Sequence, residues 1–125
     1  MGPGIAERFT LAEQVTESEA AHAATDRARI VNGLSRQLAS GTVLLLPTVP
    51  RIAPLKGLPV ADVEVTYRYL AMNLLCIAGL AGLPQVSLPL AQLNGCPLGL
   101  SLVGAAGSDL FLLETVRRLE QSLGV

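Results

Sequence analysis

The stretch that decides the fold is residues 69–108, where forty consecutive residues carry no charged side chain. Its two most informative parts read LAGLPQVSLPL over residues 80–90 and NGCPLGLSLVG over residues 94–104. A free domain of 125 residues leaves much of its surface in water, so a third of its length can be this apolar only if most of it is covered. We therefore expect the stretch to form the inner layer of a larger α/β body.

The first forty residues are predicted to form a helical N-terminal arm, and residues 41–125 the α/β body of a single domain. Gly2–Gly4 predicts a turn at the start of the arm. Thr16 and Glu19 have the spacing of a capping box, in which each side chain accepts the backbone N–H of the other. This pattern predicts a surface helix from Thr16 to about residue 39.

The body is predicted to continue as strand, helix, strand, strand and helix, which gives an α/β fold with a mixed β-sheet and flanking helices. Residues 42–46 are continuously apolar, a pattern typical of a strand buried on both faces of a parallel sheet. A helix from about Asp62 should connect this strand to a parallel neighbour at residues 86–90. Asn94–Gly95 then predicts a hairpin, which makes residues 98–103 the antiparallel partner.

Composition excludes several classes of function. A net charge of −1 and an aromatic content of 3% provide neither the basic surface nor the stacking platforms that nucleic acid requires. The longest apolar run, residues 70–83, is too short for a membrane span, and we expect no signal peptide, because the N-terminus lacks a basic region followed by an apolar one. Cys76 and Cys96 lack metal-ligand spacing and are expected to be buried free thiols of a cytoplasmic protein. The 50% hydrophobic content implies that some apolar surface needs a partner.

Three segments carry a resemblance to a known family: LLPTVP at residues 45–50, IAGLAGLPQVSLPL at 77–90 and GCPLGLSLVG at 95–104, followed by Gly107–Asp109. In this order and spacing they resemble the C-terminal portion of amidase signature hydrolases, over nearly the whole chain. Residues 2–9 resemble a segment of the subgroup that includes indole-acetamide hydrolases. The resemblance implies hydrolysis of a carboxamide to a carboxylic acid and ammonia, with no cofactor and no metal.

The resemblance also implies a catalytic serine, a second serine in a cis peptide and a lysine, in a Gly/Ser-rich segment and upstream of it. No position of this chain matches that motif, and its one lysine is Lys56 in a proline-rich loop. We therefore assign no catalytic residue here and expect the chain to be inactive alone. Its partner would be a complementing N-terminal amidase segment or a second copy. The alternative is a non-catalytic, self-associating binding or assembly module derived from the same fold.

Two residues are candidates for one wall of a substrate pocket. Thr48 follows a buried strand at its carboxyl end, where α/β sheets bind ligands, although its hydroxyl could equally satisfy the loop backbone. Gly99 interrupts an apolar strand, which indicates a bulge or the close approach of another backbone or a ligand. His22 is expected to be a solvated surface residue and Lys56 an ordinary loop lysine. Gly104–Ser108 is expected to be a strand-to-helix turn rather than an anion site.

Overall fold

A computed structural model of the chain describes residues 3–124 and confirms the predicted α/β class. A π-helical segment, Asp62–Tyr67, leads directly into the third α-helix. In chain order the remaining elements are α1 (Pro3–Glu13), α2 (Glu17–Gln37), β1 (Leu44–Pro47), α3 (Arg68–Ala81), β2 (Gln85–Leu93), β3 (Cys96–Val103) and α4 (Asp109–Leu123).

The N-terminal part of the chain is helical from Pro3 onward. The turn predicted at Gly2–Gly4 is wrong for Pro3 and Gly4, which lie in the first turn of α1, and Gly2 is outside the described residues. Proline is tolerated there because a first-turn N–H has no partner within the helix. The capping box of α2 is confirmed: the Thr16 N–H donates to the Glu19 carboxylate at 2.8 Å, and the Glu19 N–H donates to Thr16 Oγ1 at 3.2 Å. The Thr16 N–H and the Thr16 hydroxyl, which donates to the same carboxylate at 2.8 Å, lower the pKa of Glu19.

The three strands form one sheet in the order β1-β3-β2, and both pairs are antiparallel. The predicted hairpin is confirmed, with positive φ at Asn94 (53°) and Gly95 (75°). The predicted parallel pairing of the first two strands is wrong, because the hairpin places β3 against β2 and β1 pairs with the other edge of β3. The expectation that β1 is buried on both faces is also wrong, since Leu46 is buried while Leu45 is 60% exposed.

Helices lie against both faces of the sheet, although one face of β1 stays exposed at Leu45. One face packs its apolar residues against the end of α2 and against α3, in a cluster formed by Leu38, Leu46, Ala78 and Val103. The other face packs against α4 in a cluster formed by Leu88, Leu102, Leu112 and Val116. Cys76 and Cys96 are free thiols, as predicted, but both are half-buried rather than buried. No helix within residues 3–124 is long and apolar enough to cross a membrane.

A candidate site at the polar end of the sheet

A cluster of uncharged polar side chains lies on the sheet face that packs against α2 and α3. Ser101 is at its centre, and this residue is completely buried. Its Oγ lies 2.8 Å from Thr48 Oγ1, 2.9 Å from Ser87 Oγ and 2.9 Å from Gln85 Nε2, which donates to it. We refer to these four residues as the Ser101 cluster.

The strand register brings the Ser101 cluster together. Ser101 is directly opposite Leu46 in β1 and Ser87 in β2, and opposite residues of an antiparallel pair place their side chains on the same face. Thr48 lies two residues beyond Leu46, and Gln85 two residues before Ser87, so both share this face. Along β3 the same face therefore changes from the buried, apolar Val103 to the polar Ser101 and then to Gly99.

Gly99 is held close to Thr48, as the sequence predicted for a glycine in this position. The Thr48 N–H donates to the Gly99 carbonyl at 2.8 Å. A Cβ added at Gly99 would lie 2.7 Å from Thr48 Oγ1, closer than real Cβ atoms approach their neighbours, and 3.0 Å from Thr48 Cβ, which is tighter than most real contacts. The Thr48 hydroxyl can therefore occupy its position only because Gly99 has no side chain.

The predicted bulge is present, and the extra residue lies in β2. Leu88 is opposite Leu100 and Ala91 is opposite Leu98, so two residues of β2 face the single residue Gly99. One of the two is Pro89, whose missing N–H removes a ladder donor at the point where regular pairing is already interrupted. Pairing of β2 with β3 resumes beyond the bulge, from Ala91 opposite Leu98 to Leu93 opposite Cys96.

An open groove of about 290 Å³ lies at this bulge. It is lined by Thr48, Ser87 and Gly99 together with the apolar residues Leu88, Pro89, Pro97 and Leu98. None of these seven residues carries a charge. The structure thus brings together the two predicted pocket residues, Thr48 and Gly99, but leaves their contact with a substrate a prediction.

The other residues considered in the sequence lie elsewhere. His22 is exposed on α2, and Lys56 is exposed in the proline-rich loop. Ser108 donates its hydroxyl to the Ala105 carbonyl at 2.7 Å, which agrees with the expected strand-to-helix turn. Over the described part of the chain, no group of three or more His, Cys, Asp or Glu side chains is placed to hold a metal ion.

Sequence reasoning missed Ser87, Gln85 and above all Ser101. The available signal was that Ser87 and Ser101 interrupt apolar strands that the hairpin brings into direct pairing. A serine in an apolar strand that becomes buried, as Ser101 does, needs a polar partner, because an unsatisfied buried hydroxyl is costly. In the described residues every buried side-chain nitrogen and oxygen has a hydrogen-bond partner.

The fold and its groove define a small α/β unit with helices on both sides of an antiparallel sheet, and comparison with known proteins identifies its family. The sequence profile of the Amidase family matches residues 4–113. The chain therefore belongs to the amidase family, as the resemblance in its motifs indicated.

Its relatives are much longer proteins. The chain is 40% identical over 124 residues to "Amidase 1" of Oryza sativa subsp. japonica, a match that covers 98% of this chain and 28% of that protein. It is 35% identical over 118 residues to "Indoleacetamide hydrolase" of Pantoea agglomerans pv. gypsophilae, covering 90% of this chain and 25% of that one. The chain thus spans about a quarter of the length of these relatives.

Solved structures show the same relation. The structure of 6-aminohexanoate cyclic dimer hydrolase superimposes with a TM-score of 0.70 and 27% identity, covering 94% of this chain and 27% of that protein. The described fold is therefore that of one part of an amidase family enzyme.

Proposed function

We propose that this chain is the C-terminal segment of an amidase-type hydrolase that converts a carboxamide to a carboxylic acid and ammonia. In this proposal it completes the sheet of the enzyme and supplies one wall of the substrate pocket through Thr48 and Gly99. The nucleophilic serine, the cis serine and the lysine would lie in a complementing N-terminal segment. The compartment would be the cytoplasm, which is consistent with two free thiols.

The observation that carries this proposal is the amount of surface that the chain leaves uncovered. It exposes 9066 Å², whereas a compact monomer of 13.0 kDa is expected to expose about 6,300 Å². The excess is comparable to one side of a large obligate interface, which buries about 2,000–5,000 Å² over both partners. Much of it is apolar, including Leu55 and Val60 in the segment between β1 and α3. Such a surface fits a segment that is covered by the rest of an enzyme.

The chain alone should not hydrolyse amides, because none of its residues matches the serine and lysine motif of the family. Purified protein incubated with simple aryl and alkyl carboxamides should release no ammonia above the buffer background. Ammonia release that disappears in Lys56→Ala or in a serine-to-alanine variant would overturn this expectation and reveal a site of a different kind.

Fragment complementation tests the proposed function directly. The rice Amidase 1 sequence without its matched region would be co-expressed with this chain, and the purified complex assayed for ammonia release from a series of carboxamides. We expect activity in the complex and none in either fragment alone. A stable complex that hydrolyses none of these carboxamides would contradict the proposal. The same assay with a Gly99→Val chain examines a variant altered at the proposed pocket wall.

The second candidate is a non-catalytic module that uses its apolar surface for self-association, and the exposed large apolar side chains favour it. Leu110 on α4 is 83% exposed and Leu45 on β1 is 60% exposed. Patches beyond a few hundred Å² are unusual on monomers. Sedimentation of the isolated chain should therefore show a dimer or larger species at micromolar concentration. If self-association is the function, the dimer should persist when the complementing segment is added; a monomer that binds no hydrophobic dye would exclude it.

A further inference from the structure

The Ser101 cluster restricts the hydrogen bonds that the groove can offer. A serine hydroxyl donates one hydrogen bond and accepts two. The Gln85 amide nitrogen is only a donor, so it occupies one acceptor position of Ser101 Oγ. One donor and one acceptor position then remain for Thr48 and Ser87, which both lie within hydrogen-bond distance.

The two groove hydroxyls must consequently differ. If Thr48 donates to Ser101, then Ser101 donates to Ser87, and only Ser87 keeps its proton for a ligand. If Ser87 donates to Ser101, the direction reverses and only Thr48 keeps its proton. In either arrangement one hydroxyl at the groove is able to donate, while the other has its proton committed to the cluster and presents lone pairs alone.

We propose that Ser101 is a positioning residue that makes Thr48 and Ser87 a paired donor and acceptor for the carboxamide group of a ligand in the groove. A primary amide has a carbonyl that accepts and an N–H that donates, so it satisfies both hydroxyls. A carboxylate has only acceptors, and its second oxygen would face lone pairs. The groove carries no charged side chain that would favour an anion, and its leucine and proline walls suit an apolar substituent next to the amide.

This inference rests on the proposed function and adds to it a basis for telling substrate from product. The amide of a substrate would match the pair, and the acid formed by hydrolysis would not. Discrimination of this kind is greatest where a polar group of the site is left unpaired by the wrong ligand.

The experiment measures binding to the full isolated chain by NMR, with phenylacetamide and phenylacetate as matched probes that differ only in the amide. Both titrations follow the backbone resonances of Thr48, Ser87 and Gly99. We expect phenylacetamide to bind about fivefold or more tightly than phenylacetate, the factor that one net hydrogen bond provides. Equal affinities, or no shift of these resonances with either probe, would overturn the proposal.

The variant Ser101→Ala releases both groove hydroxyls from the cluster, so either can donate to a carboxylate. We expect the ratio of the two dissociation constants to fall to about one. Ser122→Ala makes the same chemical change on an exposed turn of α4 and should leave the ratio unchanged. An amide preference that survives in Ser101→Ala would contradict the proposed role.

Ser87→Ala keeps the experiment decisive if Ser101→Ala does not fold, because Ser87 is exposed. Its loss removes one of the two contacts to the amide, and the preference should again disappear; an unchanged preference would contradict the proposal.

Failure of this inference is separable from failure of the proposed function. If the complemented enzyme releases ammonia but the chain shows no amide preference, only the inference is contradicted. If the chain prefers the amide but the complemented enzyme releases no ammonia, only the proposed function is contradicted.

Discussion

Replacing Leu112 with alanine should lower the free energy of unfolding by about 2–5 kcal/mol, the range for large-to-small changes in a packed core. Leu112 belongs to α4 and is 1% exposed. Its side chain packs towards the sheet in a cluster with Leu88, Leu102 and Val116. The truncated side chain would leave a cavity at the center of the cluster that attaches α4. A urea unfolding curve monitored by circular dichroism measures this loss as a lower urea midpoint.

Two variants serve as controls for this prediction. Leu110→Ala makes the same truncation on the same helix at a side chain that is 83% exposed, and at concentrations below self-association it should change stability by no more than about 0.5 kcal/mol. Leu112→Met keeps most of the volume and should cost less than about 1.5 kcal/mol. Equal losses for Leu110→Ala and Leu112→Ala would show that α4 is not anchored through Leu112.

The parts of the fold that were predicted from the sequence depend on residues close together in the chain. Thr16 and Glu19 are three residues apart and determine the start of α2 through two hydrogen bonds. Asn94 and Gly95 determine the hairpin because both adopt positive φ at little cost.

The order of the strands depends on contacts between distant residues, and there the prediction was wrong. The apolar run in β1 was interpreted as a strand buried on both faces, but in the described structure its outward face remains exposed at Leu45. Composition cannot distinguish a face covered by a helix from a face that another segment would cover. The exposed face of β1 is therefore part of the uncovered surface on which the proposed function rests.

The candidate site was predicted only in part for a related reason. Thr48 and Gly99 stood out because each has a local signal, a strand end and a glycine in a strand. Ser101 has no such signal, and its importance appears only when the register places it between β1 and β2. Polar residues in apolar strands are best interpreted after the pairing of those strands is known.

The second large effect is expected at Gly99, where Gly99→Val should destabilise the chain by roughly 1–3 kcal/mol. Valine has the higher strand propensity, so at an open position the substitution would be stabilising. At Gly99 the new Cβ would meet both Oγ1 and Cβ of Thr48, and the Cβ contact cannot be relieved by rotation of the Thr48 side chain. Either Thr48 moves with its backbone, which is hydrogen-bonded to the Gly99 carbonyl, or β3 moves away from it.

A lower urea midpoint at an unchanged slope would establish this loss as a change in stability rather than in the extent of unfolding. Gly79→Val is the matched control, since a Cβ at Gly79 on α3 has no neighbour within 4 Å, and it should change stability by no more than about 0.5 kcal/mol. Because the conflict arises at the Cβ itself, Gly99→Ala should also lose stability, whereas Gly79→Ala should gain it through the higher helix propensity of alanine. A Gly99→Val midpoint at or above that of the wild type would mean that Thr48 moves aside without cost, and that the glycine is not required for the geometry of the groove.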